Sequence, residues 1–303
     1  GDHRDLHSFP TRRSSDLEGL LGVITEVTLR ILASPEDVCA LLLGFPSAAA
    51  AGECVAAIIG SGIIPAGMEM MDRPAIHATE EFVHAGYPLD AEALLIVELD
   101  GPSPEVEYLV KRVQDLAQHS GANYTRISQN DAERERFWAG RKNAFPAVGR
   151  ISPDYYCMDG TIPRARLAEV LVRISEMSEQ YGLAVANVFH AGDGNLHPLI
   201  LYDANVLGEL EKTEQFGSDI LRLCVEVGGV LTGEHGGGVE KRDLMGEMFT
   251  DIDLEQQQRI KCAFDPDQLL NPGKVFPVLH RCVELGRAHV HGGKIPFPHL
   301  PRL

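Results

Sequence analysis

The stretch Ala184–Tyr202, AVANVFHAGDGNLHPLILY, decides how this chain is read. Two apolar runs flank Asp193-Gly194, a dipeptide strongly associated with two-residue type I′ hairpin turns. Folding about it pairs Gly192 with Asn195, Ala191 with Leu196 and His190 with His197. The two histidines then face each other on one side of the ladder, with Cβ atoms roughly 4.5–5.5 Å apart. A lone strand histidine is ordinarily packed or hydrogen-bonded. Two at that separation would repel if both were charged, and they suit a shared metal ion.

Working outward, GGVLTGEHGGG (228–238) brings Glu234 and His235 to the end of an apolar run among glycines, before a helix expected to begin near Val239. Glycine lets backbone approach a ligand and accepts unusual dihedrals. Alone, the segment reads as a Gly-rich connector with two solvated polar residues. With the hairpin, His190, His197 and Glu234 make a two-His-one-carboxylate set, which leaves positions open on zinc, iron or manganese for water or substrate. His235, pointing the other way if the segment is extended, is a candidate proton acceptor. RERFWAGRKNAF (134–145) adds Arg141 and Lys142 just after the only tryptophan, Trp138. Most such pairs on helices are solvated, but this one suits a substrate carboxylate, arginine gripping it in bidentate fashion. His289 and His291 have metal-pair spacing but no carboxylate or cysteine beside them, and read as incidental.

The rest of the chain is an ordinary α and β alternation. VCALLLGF (38–45) is an apolar run, 47–59 is Ala-rich and helical, and IIPAGMEMMD returns to an extended pattern. ALLIVELDG (93–101) is the clearest strand. Ser103 is expected to cap the next helix, whose stripe is Val106, Leu109, Val110, Val113, Leu116 and Ala117. A second helix follows Pro163, with Leu167, Val170, Leu171, Ile174, Met177 and Tyr181 on one face and Gly182 as its stop. A third runs from about Leu207 to Val227. The connections permit parallel or antiparallel pairing, and no internal repeat is visible.

Composition narrows the function classes. The 303 residues, 44% apolar and 23% charged, amount to about two domains of ordinary globular chain. With 27 basic against 44 acidic residues the net charge is −17, which argues against nucleic acid or anionic lipid as the main partner. No apolar run is long enough to span a bilayer. Six cysteines without a CxxC pair read as reduced thiols and argue against an iron–sulfur cluster within this chain. Residues 1–17, GDHRDLHSFPTRRSSDL, lack any periodicity and read as a non-native or disordered segment.

Four motifs, EGLLGVITEVTLRI, NVFHAGDGNLHPLI, LTGEHGGGVEKRDLM and FDPDQLLNPGKVFP, occur in an order that resembles the C-terminal half of FAD-linked oxidases of the vanillyl-alcohol-oxidase type. Within that family the similarity is greatest to the flavin-binding subunits of bacterial glycolate oxidases, with D-lactate and D-2-hydroxyglutarate dehydrogenases as relatives. The resemblance spans about Glu18 to Leu303. It implies an α+β fold, an antiparallel-sheet cap domain with helices on one face, plus remnants of the FAD-binding domain at both ends. Residues 18–32 would end a truncated FAD-binding domain, 33–250 would be the substrate domain, and 251–303 would return to the FAD domain. Glu18, Gly19, Gly22, Ile24 and Asn271 would then lie along the flavin. Most of the FAD site would be upstream, so this chain alone is expected to bind FAD poorly.

The resemblance also assigns roles. His190, His197 and Glu234 match metal ligands for a divalent ion, zinc first, manganese or iron as alternatives. His235 matches the catalytic base, and Arg141 a substrate-carboxylate contact. Leu199 and Phe145 replace polar residues of the hydroxyglutarate enzymes, which suits a short 2-hydroxy acid. Such an acid would chelate the ion while His235 takes the hydroxyl proton and C2 hydride passes to the flavin. An iron–sulfur partner subunit would accept the electrons, with the protein cytoplasmic or peripheral at the inner face of the membrane. Two other classes use the same residues: a zinc hydrolase with His235 or Glu240 as base, and a non-catalytic metal-binding fragment.

Overall fold

The computed structural model describes residues 18–277; the expectations for 1–17 and for the tail with His289 and His291 lie outside the described residues. The first half of the fold runs β1 (Asp37–Phe45), α1 (Ala48–Gly60), β2 (Gly67–Asp72), α2 (Arg73–Val83), β3 (Ala93–Gly101), α3 (Ser103–His119) and β4 (Tyr124–Ile127). Two helices, α4 (Asp131–Lys142) and α5 (Ala144–Val148), link it to β5 (Asp154–Cys157) and the short β6 (Gly160–Thr161). Then come α6 (Leu167–Tyr181), β7 (Val185–Phe189), β8 (Asn195–Leu196), β9 (Pro198–Tyr202) and α7 (Glu209–Glu226). Last are α8 (Met245–Met248) and α9 (Asp251–Phe264).

Seven strands form one sheet in the order β4-β1-β3-β2-β7-β9-β5, and β6 pairs with β8 separately. Every pairing among the described residues is antiparallel. This resolves the connection ambiguity left by loop lengths. The order β4-β1-β3-β2, with α1 and α3 as connectors, is that of a ferredoxin-like βαββαβ unit. The second half repeats much of it: β5, α6, β7, β9 and α7 stand in the places of β1, α1, β2, β3 and α3. The two units join where Met70 and Met71 of β2 pair with Phe189 and Val188 of β7. No sequence periodicity announced this duplication.

Burial explains the layers. Leu41, Leu43, Leu95 and Val97 point into one core with α1, α3, α6 and α7. The alternate residues Ala40, Leu42, Leu94 and Ile96 point into a second core with α2, α4 and α5. The expected helices on one face are therefore helices on both. The reason is legible in β1 and β3: uninterrupted apolar runs bury both sides, whereas a half-wet antiparallel strand alternates.

Local signals set most boundaries. Ser47 caps α1, accepting from the Ala50 N–H. Gly182 ends α6 in the left-handed region, and Thr250 and Asp253 form a capping box at α9. Ser103 does not cap α3. Pro102 holds that position, and the Ser103 hydroxyl donates to Glu36 instead. The helix expected near Val239 is replaced by a 3-10 turn at Arg242–Leu244 followed by α8, because the backbone up to Gly238 is committed elsewhere.

Candidate functional site

Glu69 of β2, His190 after β7 and His197 before β9 sit on the sheet face that carries α4 and α5. The hairpin that presents the histidines is not the two-residue turn expected. His190 pairs with Asn195 across a four-residue connection, and Val188 donates to the His197 carbonyl. Gly194 alone in that turn has a positive φ, +76°, so the type I′ turn is absent. Tertiary contacts decide this: the Gly192 N–H donates to Met68 on β2, and the Gly194 carbonyl accepts from Ile162. The slip is even, so both histidines keep the same face, diagonally placed. Their ring centroids are 5.1 Å apart at 80°.

Glu234 comes from the glycine-rich loop and closes the group. Its Oε1 lies 3.4 Å from His190 Nε2 and 3.2 Å from His197 Nε2. Each of the three residues offers a ligand atom within 4.8 Å of the other two. His190 Nδ1 lies 2.9 Å from Glu69 Oε1. Burial opposes charge on His190, but the carboxylates of Glu234 and Glu69 overcome it and its pKa is pushed up to about 10. A proton is thus held where these donors face one another, and a cation arriving there would displace it.

His235 is not turned away, because the loop is not extended. Its ring stacks on His197, centroids 4.9 Å apart at 14°, with Nε2 at 3.9 Å from Glu234 Oε1. Burial lowers its pKa, leaving it a neutral acceptor at pH 7. The loop is shaped by Asp159, a residue the sequence reading passed over. Fully buried, Asp159 accepts from the Thr232 hydroxyl, from the N–H groups of Gly233, Glu234 and His235, and from Lys241 Nζ at 2.9 Å. Burial alone would raise its pKa; the contacts from His197, Lys241 and Thr232 hold it far below the carboxylate range. The one clue in sequence was an Asp-Gly step between short strands.

Arg141 is 9% exposed near the C-terminal end of α4, with Nε donating to Glu69 Oε2 at 2.9 Å. Its Nη2 is buried and has no hydrogen-bond partner among the described residues. Arg141, His190 and Glu69 line one cleft of about 870 Å³, and the exposed Lys142 stands on its rim. Glu69 was also missed, although a single acid in the apolar strand GMEMM is a signal of a buried polar partner. Phe145 packs edge-on to His197, centroids 5.9 Å apart, and Leu199 is fully buried in the core beneath.

Near the loop the two ends of the described chain meet. The Glu18 carboxylate accepts from the Gly237 and Gly238 N–H groups, and its carbonyl accepts from Asn271 Nδ2. Gly19 (φ +72°) lies so close that an added Cβ would be 2.9 Å from Asn271 Nδ2. Nothing stands within 4 Å of the equivalent point on Gly22, and Ile24 is exposed.

Comparison with known proteins places these residues in context. A family model described as "FAD linked oxidases, C-terminal domain" matches residues 34–275. The chain is 58% identical over 285 residues to glycolate oxidase subunit GlcD of Escherichia coli (strain K12), covering 94% of this chain and 57% of that protein. It is 30% identical over 261 residues to a probable mitochondrial D-lactate dehydrogenase of Danio rerio, covering 86% and 52%. Among solved structures, 4-ethylphenol oxidase from Gulosibacter chungangensis shares the fold, with TM-score 0.62, 16% identity, and coverage of 82% of this chain and 56% of that one. The chain therefore spans little more than half the length of the relatives it matches.

Proposed function

The chain belongs to the FAD linked oxidases through their C-terminal domain, and on that premise we propose that it takes part in flavin-dependent oxidation of a short 2-hydroxy acid, glycolate to glyoxylate first. One observation carries the reading: His190, a member of the His190–His197–Glu234 set, lines the same cleft as Arg141, whose buried Nη2 has no hydrogen-bond partner among the described residues. A 2-hydroxy acid carries the two matching groups, a hydroxyl to be acidified and a carboxylate to be gripped.

Two imidazoles and a carboxylate converging this closely have the donor chemistry of a divalent cation site, zinc first, with manganese or iron also suited. When bound, the ion would acidify the substrate hydroxyl and the flavin would accept the C2 hydride. The chain's own residues do the remaining work. Arg141 Nη2 takes a carboxylate oxygen, with Lys142 at the cleft mouth adding positive charge. His235 Nε2 receives the hydroxyl proton, its partly buried ring being neutral beforehand. Proton and hydride leave together, so no charge builds on carbon. Phe145 against His197 is an apolar ring that offers no partner to a second carboxylate, which favours a short acid.

D-lactate, one methyl larger, is the second reading, supported by similarity to a D-lactate dehydrogenase. Family membership argues against the hydrolase reading. On the flavin side, Glu18, Gly19, Gly22, Ile24 and Asn271 are read as backbone along the cofactor; the bare Gly22 and the Glu18–Asn271 contact support this. Residues 23–32 are exposed throughout and carry Val23, Ile24, Val27, Leu29, Ile31 and Leu32, an uncovered apolar run that supports assigning them to a second unit. The similarity to a glycolate oxidase subunit supports a multi-subunit complex, in which an iron–sulfur partner subunit would accept the electrons. Among the described residues no helix is long and apolar enough to cross a membrane.

The test is metal content of the purified chain with His190→Ala and Glu234→Ala beside it. About one ion per chain, lost in both variants, supports the site. Glycolate binding to the zinc-loaded chain should vanish in Arg141→Met. No metal in a folded wild-type chain would remove the basis of the chelation argument.

A further inference from the structure

We propose that Glu69 is a positioning residue that ties the ligand face of His190 to the carboxylate receptor Arg141, setting the spacing at which a 2-hydroxy acid is chelated and gripped at once. The proposal rests on the reading of His190, His197 and Glu234 as a metal-ligand set and goes one shell deeper. Glu69 is 4% exposed in the middle of β2, on the face the histidines share. Each of its oxygens has a different partner: Oε1 meets His190 Nδ1 and Oε2 receives Arg141 Nε, both at 2.9 Å. A carboxylate this deeply buried persists only when paired and hydrogen-bonded on both sides.

The arrangement determines which atoms remain for chemistry. Beside a guanidinium Glu69 is an anion and can only accept, so His190 Nδ1 must carry the hydrogen. In the neutral imidazole the lone pair is then on Nε2, the atom that faces Glu234 and His197. On the other side, engaging Nε turns the guanidinium so that Nη2 is the buried nitrogen left without a partner. His197 has no such support among the described residues, where its buried Nδ1 has no hydrogen-bond partner. One side chain on a rigid strand thus holds both receptors, and the distance between ion and substrate carboxylate is not left to two independent rotamers.

The experiment is a titration of the 303-residue chain with zinc ion alone, then with glycolate present, in wild type and Glu69→Gln. An amide cannot accept from both partners, so the variant should bind zinc about 10–100-fold more weakly. The tightening of zinc binding by glycolate in wild type should also disappear, an effect that a merely structural role would not produce. A measurement without any variant stands beside it: ¹⁵N shifts of His190 in the zinc-loaded wild type should show a protonated Nδ1 and a metal-bound Nε2. Equal zinc affinity and coupling in a folded Glu69→Gln chain, or metal on Nδ1, would overturn the role of Glu69. A wild-type chain that takes no zinc would instead overturn the metal reading itself, and this inference with it.

Discussion

Arg141 and Asp159 show two ways in which a single buried charge shapes this site. Arg141 brings its charge to the cleft and leaves one nitrogen unpaired, which is costly unless an anion arrives. Asp159 spends its charge inward, gathering three successive backbone N–H groups so that Glu234 and His235 are held in one bent loop. Because its folded pKa is depressed, folding favours the ionised form. The stability it contributes is fully present above the ordinary carboxylate range, begins to be lost as pH falls into that range, and goes on being lost below it towards the depressed folded value. Asp159→Asn removes that dependence, so urea unfolding between pH 7 and 3 should show a flatter profile than wild type. At pH 7 the variant should be less stable by about 3–5 kcal/mol, because Lys241 is left buried without its counter-charge. A wild-type acid slope retained in the variant would place the titrating group elsewhere.

At the scale of elements, the hairpin from β7 through β9 carries the clearest lesson. An Asp-Gly pair signals a turn, and a turn is there, but its length is set by neighbours. Gly192 is held by β2 and Gly194 by the strand end at Ile162. The slip from direct His190–His197 pairing is even, so the two histidines lie diagonal to each other and still share one face. An odd slip would have sent one of them into the opposite core. Gly194→Ala should therefore be harmful twice over. A side chain at φ +76° costs about 1–2 kcal/mol, and its Cβ would come 2.2 Å from the Ile162 carbonyl oxygen. The urea midpoint should fall by more than the conformational cost alone, with zinc affinity falling too as the histidines move apart. An unchanged midpoint would contradict the turn described.

At the scale of the whole molecule, two similar βαββα halves share one sheet, and the seam between β2 and β7 runs beside the site. Glu69 comes from the first half, His190 and His197 from the second, so the cleft exists only while the seam is intact. The halves are expected to unfold together. Fluorescence of Trp138, which packs against Gly67 and donates to Glu98 in the first half, should give the same urea transition as far-UV circular dichroism. Separate transitions would show that the halves are independent. Alone, the sequence determined the strand and helix periods and the Gly182 stop, and it singled out His190, His197, Glu234, His235 and Arg141 as candidates, because those depend on local chemistry and on motifs with fixed spacing. Only the tertiary structure decided the hairpin register, the second helical layer, the duplication, and the roles of Glu69 and Asp159. The register depends on Gly192 meeting Met68 and Gly194 meeting Ile162, and the roles of Glu69 and Asp159 on contacts between residues 72 to 121 positions apart, for which one chain read from end to end carries no local signal.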